Sequence, residues 1–135
     1  MVHELFSVET LRELQAAHPE AITLSHPECP KAVRDASDHV LGTAGMLKIA
    51  GNHEGATFLV GTEGNMLYRL KQVAPQNTYL SAPGASCACN LCPHMQLNTA
   101  AKLRAALDSK GPRVQVPAEV AGPARRALER MLDVV

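Results

Sequence analysis

The feature that most limits the fold of this chain is the alternation of short apolar runs with helical patterns. Residues 21–24, 40–41, 57–60 and 78–80 read as brief strands, and residues 113–116 as a weaker one. Helix signals lie between them. Ser7 suits the N-cap of a helix with Leu11 and Leu14 on one face and Glu9 in its first turn. His18-Pro19 ends that helix, because a residue before proline avoids helical angles. Pro30 suits the first position of a helix running to about Ser37, and a further helix runs from about Ala44 to Ala50 with Gly51 as its stop. Met66, Leu67, Leu70 and Val73 form an apolar helical stripe. Thr99 caps a helix through Leu103, Ala106 and Leu107 that closes near Lys110-Gly111. Leu128, Met131, Leu132 and Val135 recur at helical spacing, and Pro123 marks the first turn of that last helix. Strands alternating with helices in this way imply an α/β domain with a mostly parallel sheet.

At 135 residues the chain is long enough for one compact domain with its own core. Aromatic residues make up only 3% and tryptophan is absent, so the core is aliphatic. Thirteen basic residues balance thirteen acidic ones, which leaves no basic face and argues against a nucleic-acid partner. No apolar run approaches the roughly 20 residues that span a bilayer, so no membrane role is expected. The first residues have neither a basic region nor a long apolar stretch of the secretory kind. Four cysteines without such a signal point to a reducing, cytoplasmic setting, where clustered thiols bind metal more often than they pair. A disulfide between Cys87 and Cys92 is the bland alternative.

In a parallel sheet, functional loops lie beyond the carboxyl ends of the strands. His26-Pro27-Glu28, Gly42-Thr43, Gly61-Thr62-Glu63 and the cysteine-rich run from Cys87 to Cys92 all fall there. His26 and Glu28, on a proline-stiffened turn, have the chemistry to bind an anionic substrate and move a proton. Gly42-Thr43 and Gly61-Thr62 each stand between a strand and a helix, where backbone N–H groups and a hydroxyl suit a phosphate or carboxylate. A plain helix cap explains each of these pairs taken alone. Cys87, Cys89 and Cys92, followed directly by Pro93 and then by His94, have the density of an iron–sulfur or zinc site. Cys29, between Pro27 and Pro30, is the only other cysteine. His3, His39 and His53 share no metal-like spacing and read as surface or helix-end residues. The nucleophile-elbow and P-loop patterns are absent.

Together these residues resemble the quinolinate synthase family of iron–sulfur enzymes. Val2-His3-Glu4 looks like the segment just past the family's second cluster cysteine. Residues 24–29 resemble its strand and His-Pro-Glu motif, and residues 41–46 its glycine- and threonine-bearing turn. Residues 58–63 and 68–70 resemble the next strand and helix, and residues 89–95 the third cluster-ligand loop. The resemblance runs in order along essentially the whole chain.

It implies a three-layer αβα fold, the last of three pseudo-symmetric domains around one [4Fe–4S] cluster. Residues 1–80 would be that domain, 81–96 the cluster-ligand loop and 97–135 the C-terminal helices, with the first two domains absent. Each domain contributes one cysteine, here Cys92, with Cys87 and Cys89 as accessory thiols. His26 and Glu28 would bind substrate and move protons, and Thr43 would hold a carboxylate or phosphate. The implied reaction condenses iminoaspartate with dihydroxyacetone phosphate to quinolinate, with a partner chain supplying whatever is missing. Gly42 departs from the family, which commonly has serine there. Two other readings stay open: a stand-alone zinc or iron–sulfur module built on Cys87, Cys89, Cys92 and His94, and an inert remnant that aggregates through an exposed former interface.

Overall fold

The computed structural model of the chain describes residues 2–82 and 90–134, so Cys87 and Cys89 lie outside the described residues. A single 3-10 turn, Val2–Leu5, leads into α1 (Val8–Ala17), β1 (Ile22–Ser25), α2 (Lys31–Asp35), β2 (His39–Val40) and α3 (Thr43–Gly51). Then come β3 (Thr57–Gly61), α4 (Asn65–Val73), β4 (Thr78–Ser81), α5 (Pro93–Gln96), α6 (Ala100–Ser109) and α7 (Ala118–Leu132). Two compact units result, Met1–Leu97 and Asn98–Val135.

The first unit is an α/β fold on a four-stranded sheet of order β2-β1-β3-β4, with every pairing parallel. Strand alternation sends Ile22, Leu24, Phe58, Val60 and Tyr79 to one face, where Met46 and Ala50 of α3 and Met66 and Leu70 of α4 cover them. Thr23 faces the other way and accepts a hydrogen bond from Gln15 Nε2 of α1 at 2.9 Å. A second apolar cluster gathers Val2, Phe6, Leu11 of α1, Cys29, Val33 of α2 and Ala82. Helices on both faces explain why central β3 is buried from Phe58 to Gly61 with no polar alternation.

Local chemistry sets the ends of the elements. Ser7 Oγ accepts from the Glu9 and Thr10 N–H groups and so caps α1. Asn77 bridges β3 and the end of α3: its Oδ1 accepts from Ala56 N–H at 3.0 Å and its Nδ2 donates to the Ala50 carbonyl at 2.8 Å. Asp38 Oδ2 accepts from Thr23 N–H at 2.7 Å.

In the second unit, Thr99 Oγ1 caps α6 by accepting from Lys102 N–H at 3.2 Å. No residue of α6 or α7 is buried, and Leu103, Leu107, Leu128, Met131 and Leu132 are each more than half exposed.

Several sequence expectations need correction. Residues 113–116 form no strand. They lie between Pro112 and Pro117, and the described residues of their unit include no strand to complete their hydrogen bonds. Pro123 does not start the last helix but sits inside it, since Pro117 is the N-cap. Val73 falls off the buried stripe of α4 and is half exposed. Gly51 is the last residue of α3, with Asn52 as its cap. No helix among the described residues is long and apolar enough to cross a membrane.

Candidate functional site

Because all four strands run the same way, the turns after β1, β2 and β3 and the segment that starts at Asn90 belong to one edge of the sheet. Leu41 N–H donates to the Ser25 carbonyl at 2.9 Å, so the Gly42-Thr43 turn emerges beside His26. His26 N–H donates to the Gly61 carbonyl at 3.0 Å, which fixes the start of the His-Pro-Glu turn against the end of β3.

The centre of this edge is a cluster of His3, His26 and Glu28. Glu28 Oε2 lies 2.9 Å from His3 Nδ1 and 3.8 Å from His26 Nδ1. The two imidazoles stack with centroids 4.1 Å apart and planes 8° from parallel. His3 Nε2 lies 3.1 Å from the hydroxyl of buried Thr62. Glu28 N–H donates to His26 Nδ1 at 3.3 Å, so neutral His26 carries its proton on Nε2. Imidazole lone pairs lie in the ring plane, and two nearly parallel planes do not converge on one ion. This arrangement is therefore an acid–base cluster rather than a ready metal site.

Burial holds His26 below the ordinary histidine pKa of 6.5. The neighbouring His3 adds to the effect, and Glu28 pulls the other way. The unfolded chain therefore takes up this proton more readily than the folded chain. Stability contributed at this site is lost as pH falls from 6.5 toward the lowered value. The expected result is that His26→Gln flattens the acid limb of a plot of urea midpoint against pH. An acid limb as steep as that of the wild type would contradict it.

Thr43 occupies the first turn of α3 on the same edge and is exposed. Among the described residues no hydrogen bond joins it to His26 or Glu28. Gly42 is the extended N-cap of α3, and a Cβ built there meets nothing within 4 Å, so a serine would fit at this position.

Cys92 is half buried and free. Its N–H donates to Glu63 Oε1 at 3.2 Å, while Glu63 Oε2 accepts from Asn65 N–H at 2.9 Å. Gly64 N–H donates to the Asn90 carbonyl at 2.8 Å, and a Cβ on Gly64 would stand 3.2 Å from Leu91, so this close approach favours glycine. Asn90 is itself buried, and its Nδ2 donates to Ser81 Oγ at 3.1 Å and to the Ala82 carbonyl. Cys92 also lines a hollow of about 250 Å³ with Val2, Leu5, Leu91, Pro93 and His94. The larger hollow of about 1020 Å³, along α6, contains no acid–base pair.

Cys29 is different. It is buried in an apolar cluster, its thiol donates to the Gly61 carbonyl at 3.4 Å, and burial pushes its pKa up. Such a thiol offers no thiolate to a metal. The expected result is that Cys29 escapes alkylation by iodoacetamide in the folded chain and reacts in urea, as read by peptide mass mapping. Equal labelling in both conditions would contradict its burial.

The structure thus brings together His26 and Glu28, sets Thr43 on the same edge, and ties Cys92 to the turn after β3. Sequence reading placed His3 at the surface. Its partners lie 25 and 59 residues away along the chain, so no spacing pattern could reveal them. Thr62 was read with Gly61 as a place for a phosphate or carboxylate, and Glu63 only as part of the turn; neither the bond of Thr62 to His3 nor that of Glu63 to the Cys92 backbone was legible. The accessory role of Cys87 and Cys89, the Cys87–Cys92 disulfide and the metal module of Cys87, Cys89, Cys92 and His94 rest on residues outside the described ones.

An αβα unit with an acid–base cluster and a thiol loop at the carboxyl edge of a parallel sheet describes a class of α/β enzyme domains. The family model for "Quinolinate synthetase A protein" matches residues 1–133. Among curated proteins, quinolinate synthase of Synechococcus sp. is 40% identical over 98% of this chain and 42% of its own length. Quinolinate synthase of Cyanophora paradoxa is 35% identical over 99% of the chain and 41% of its own. That of Synechocystis sp. is 35% identical over 98% and 42%. The chain belongs to the quinolinate synthase family and spans about two fifths of the length of these relatives.

Proposed function

We propose that this chain supplies the last part of a quinolinate synthase of de novo NAD biosynthesis, acting in the cytoplasm. The reaction condenses iminoaspartate with dihydroxyacetone phosphate to quinolinate, with release of phosphate and water. The observation that carries this reading is the turn after β3. Thr62 binds His3 of the acid–base cluster, and the next residue, Glu63, binds the Cys92 backbone. One two-residue turn therefore serves both the proton-moving groups and the thiol.

Cys92 fits one corner of a [4Fe–4S] cluster: a free, half-buried thiol beside the apolar Val2, Leu5 and Leu91. The other ligands would come from polypeptide outside these 135 residues, with Cys87 and Cys89 as accessory thiols. The cluster, when bound, would supply a Lewis-acidic iron with an open position. Glu28, flanked by two imidazoles, takes and returns the protons that condensation and loss of water require. Neutral His26 donates from Nε2 to a substrate carboxylate. Thr43 and the first N–H groups of α3 receive a carboxylate or phosphate.

The test joins this chain to the first three fifths of the Synechococcus relative and reconstitutes the product anaerobically with iron and sulfide. The joined protein is expected to form quinolinate from the two substrates, and the 135-residue chain alone is expected to form none. Turnover by the chain alone would overturn the view that it is one part of the enzyme. One zinc held by the chain alone, lost in Cys→Ala variants, together with no turnover by the joined protein, would replace the proposal with a metal-binding module.

A further inference from the structure

Glu28, His3 and Thr62 form a chain of two hydrogen bonds through one imidazole. A carboxylate only accepts, so the 2.9 Å contact at His3 Nδ1 places the His3 proton on Nδ1. Nε2 of the neutral ring is then an acceptor, and at 3.1 Å only the Thr62 hydroxyl stands ready to donate to it. Stacked His26 has the opposite assignment, with Nδ1 accepting from Glu28 N–H and the proton on Nε2. Thr62 is buried, sits directly after β3, and has no other side-chain hydrogen bond among the described residues.

We infer that Thr62 is a positioning residue: its hydroxyl locks His3 into the Nδ1–H tautomer and holds the ring parallel to His26, so that Glu28 faces two imidazoles of complementary tautomer. Apart from Thr62, the only side-chain hydrogen-bond partner of His3 among the described residues is Glu28, which is itself largely exposed, and the stacking on His26 does not distinguish one ring nitrogen from the other. Without the Thr62 hydroxyl, Nε2 loses its donor, and a half-turn of the ring within the stack presents the other nitrogen to Glu28 at no cost in hydrogen bonds. The histidine partner of a carboxylate is commonly oriented by a bond to its second nitrogen, and here the buried threonine makes that bond.

The importance of this lock for catalysis rests on the function proposed above; its existence does not. The 135-residue chain, labelled with 15N-histidine, is measured by long-range 1H–15N correlation above the ordinary histidine pKa. Wild-type His3 is expected to show a protonated Nδ1 and a hydrogen-bonded, unprotonated Nε2. Thr62→Val, which keeps the shape and removes the hydroxyl, is expected to move His3 Nε2 toward the position of a free imidazole nitrogen, and Thr62→Ser to restore it.

An Nε2–H tautomer in the wild type, or His3 nitrogens unmoved in Thr62→Val, would overturn the inference. The first of these readouts needs no variant to fold. In the joined enzyme, Thr62→Val is expected to lower kcat about 10-fold, the order of one hydrogen bond, with KM within about twofold, and Thr62→Ser to recover most of it. Equal losses in the two variants would also overturn it. A joined enzyme that makes no quinolinate removes the function proposed above, while the histidine spectra still decide the role of Thr62.

Discussion

Phe58→Ala is expected to lower the stability of the first unit by about 3–5 kcal/mol, a large share of the roughly 5–15 kcal/mol that a folded domain has. Phe58 is fully buried in central strand β3. Its ring stacks on Tyr79 with centroids 5.7 Å apart and meets the edge of His53 at 5.6 Å. Tyr79 cannot swing into the space, because its hydroxyl is held by the Ala74 carbonyl at 2.9 Å. Cavity creation and the loss of aromatic pairing act together here. A urea titration would show a lowered midpoint with an unchanged slope. Tyr68→Ala is the comparison, since Tyr68 is mostly exposed on α4 and its loss is expected to stay within about 0.5 kcal/mol. Equal effects of the two substitutions would mean that the core does not rest on β3.

The same strand shows what the sequence disclosed and what it hid. Residues 57–60 form an uninterrupted apolar run, which a parallel strand covered on both faces requires, so the α/β class could be read directly. The caps on Ser7 and Thr99 were equally legible, because a cap is a local hydrogen bond between near neighbours. Failures came where a local pattern lacked its tertiary partner. Residues 113–116 have strand-like composition, but among the described residues no strand pairs with them. Pro123 looked like a helix start because proline favours the first turn, yet this helix begins at Ala118 and carries the proline inside it.

In the site, His26 and Glu28 were visible because they share one rigid turn. His3 was not, because its role is created only when the start of the chain folds back against Glu28 and Thr62. The resemblance to quinolinate synthases pointed to the neighbourhood of His3 without assigning it a role. That assignment required the distances.

Cys92→Ala is expected to abolish cluster assembly in the joined enzyme and to lower quinolinate formation at least about 100-fold, while changing the stability of the fold by no more than about 1 kcal/mol. The contrast follows from how the loop is held. Glu63 binds the Cys92 backbone N–H, Gly64 binds the Asn90 carbonyl, and Asn90 binds Ser81 and Ala82. None of these contacts uses the Cys92 sulfur, so alanine removes the thiol and leaves the loop in place. Cys29→Ala should behave in the opposite way: its buried side chain belongs to an apolar cluster, so the fold is weakened while cluster assembly is retained. Glu63→Ala separates the loop from the thiol, since Cys92 keeps its sulfur but its backbone loses a fixed acceptor. A cluster that forms but is lost about 10-fold more readily is expected there, the scale on which groups behind a metal ligand act. Visible absorbance and iron content per chain read out all three variants. Full iron content in Cys92→Ala would remove this residue from the ligand set, and with it the link between the thiol loop and the histidine cluster.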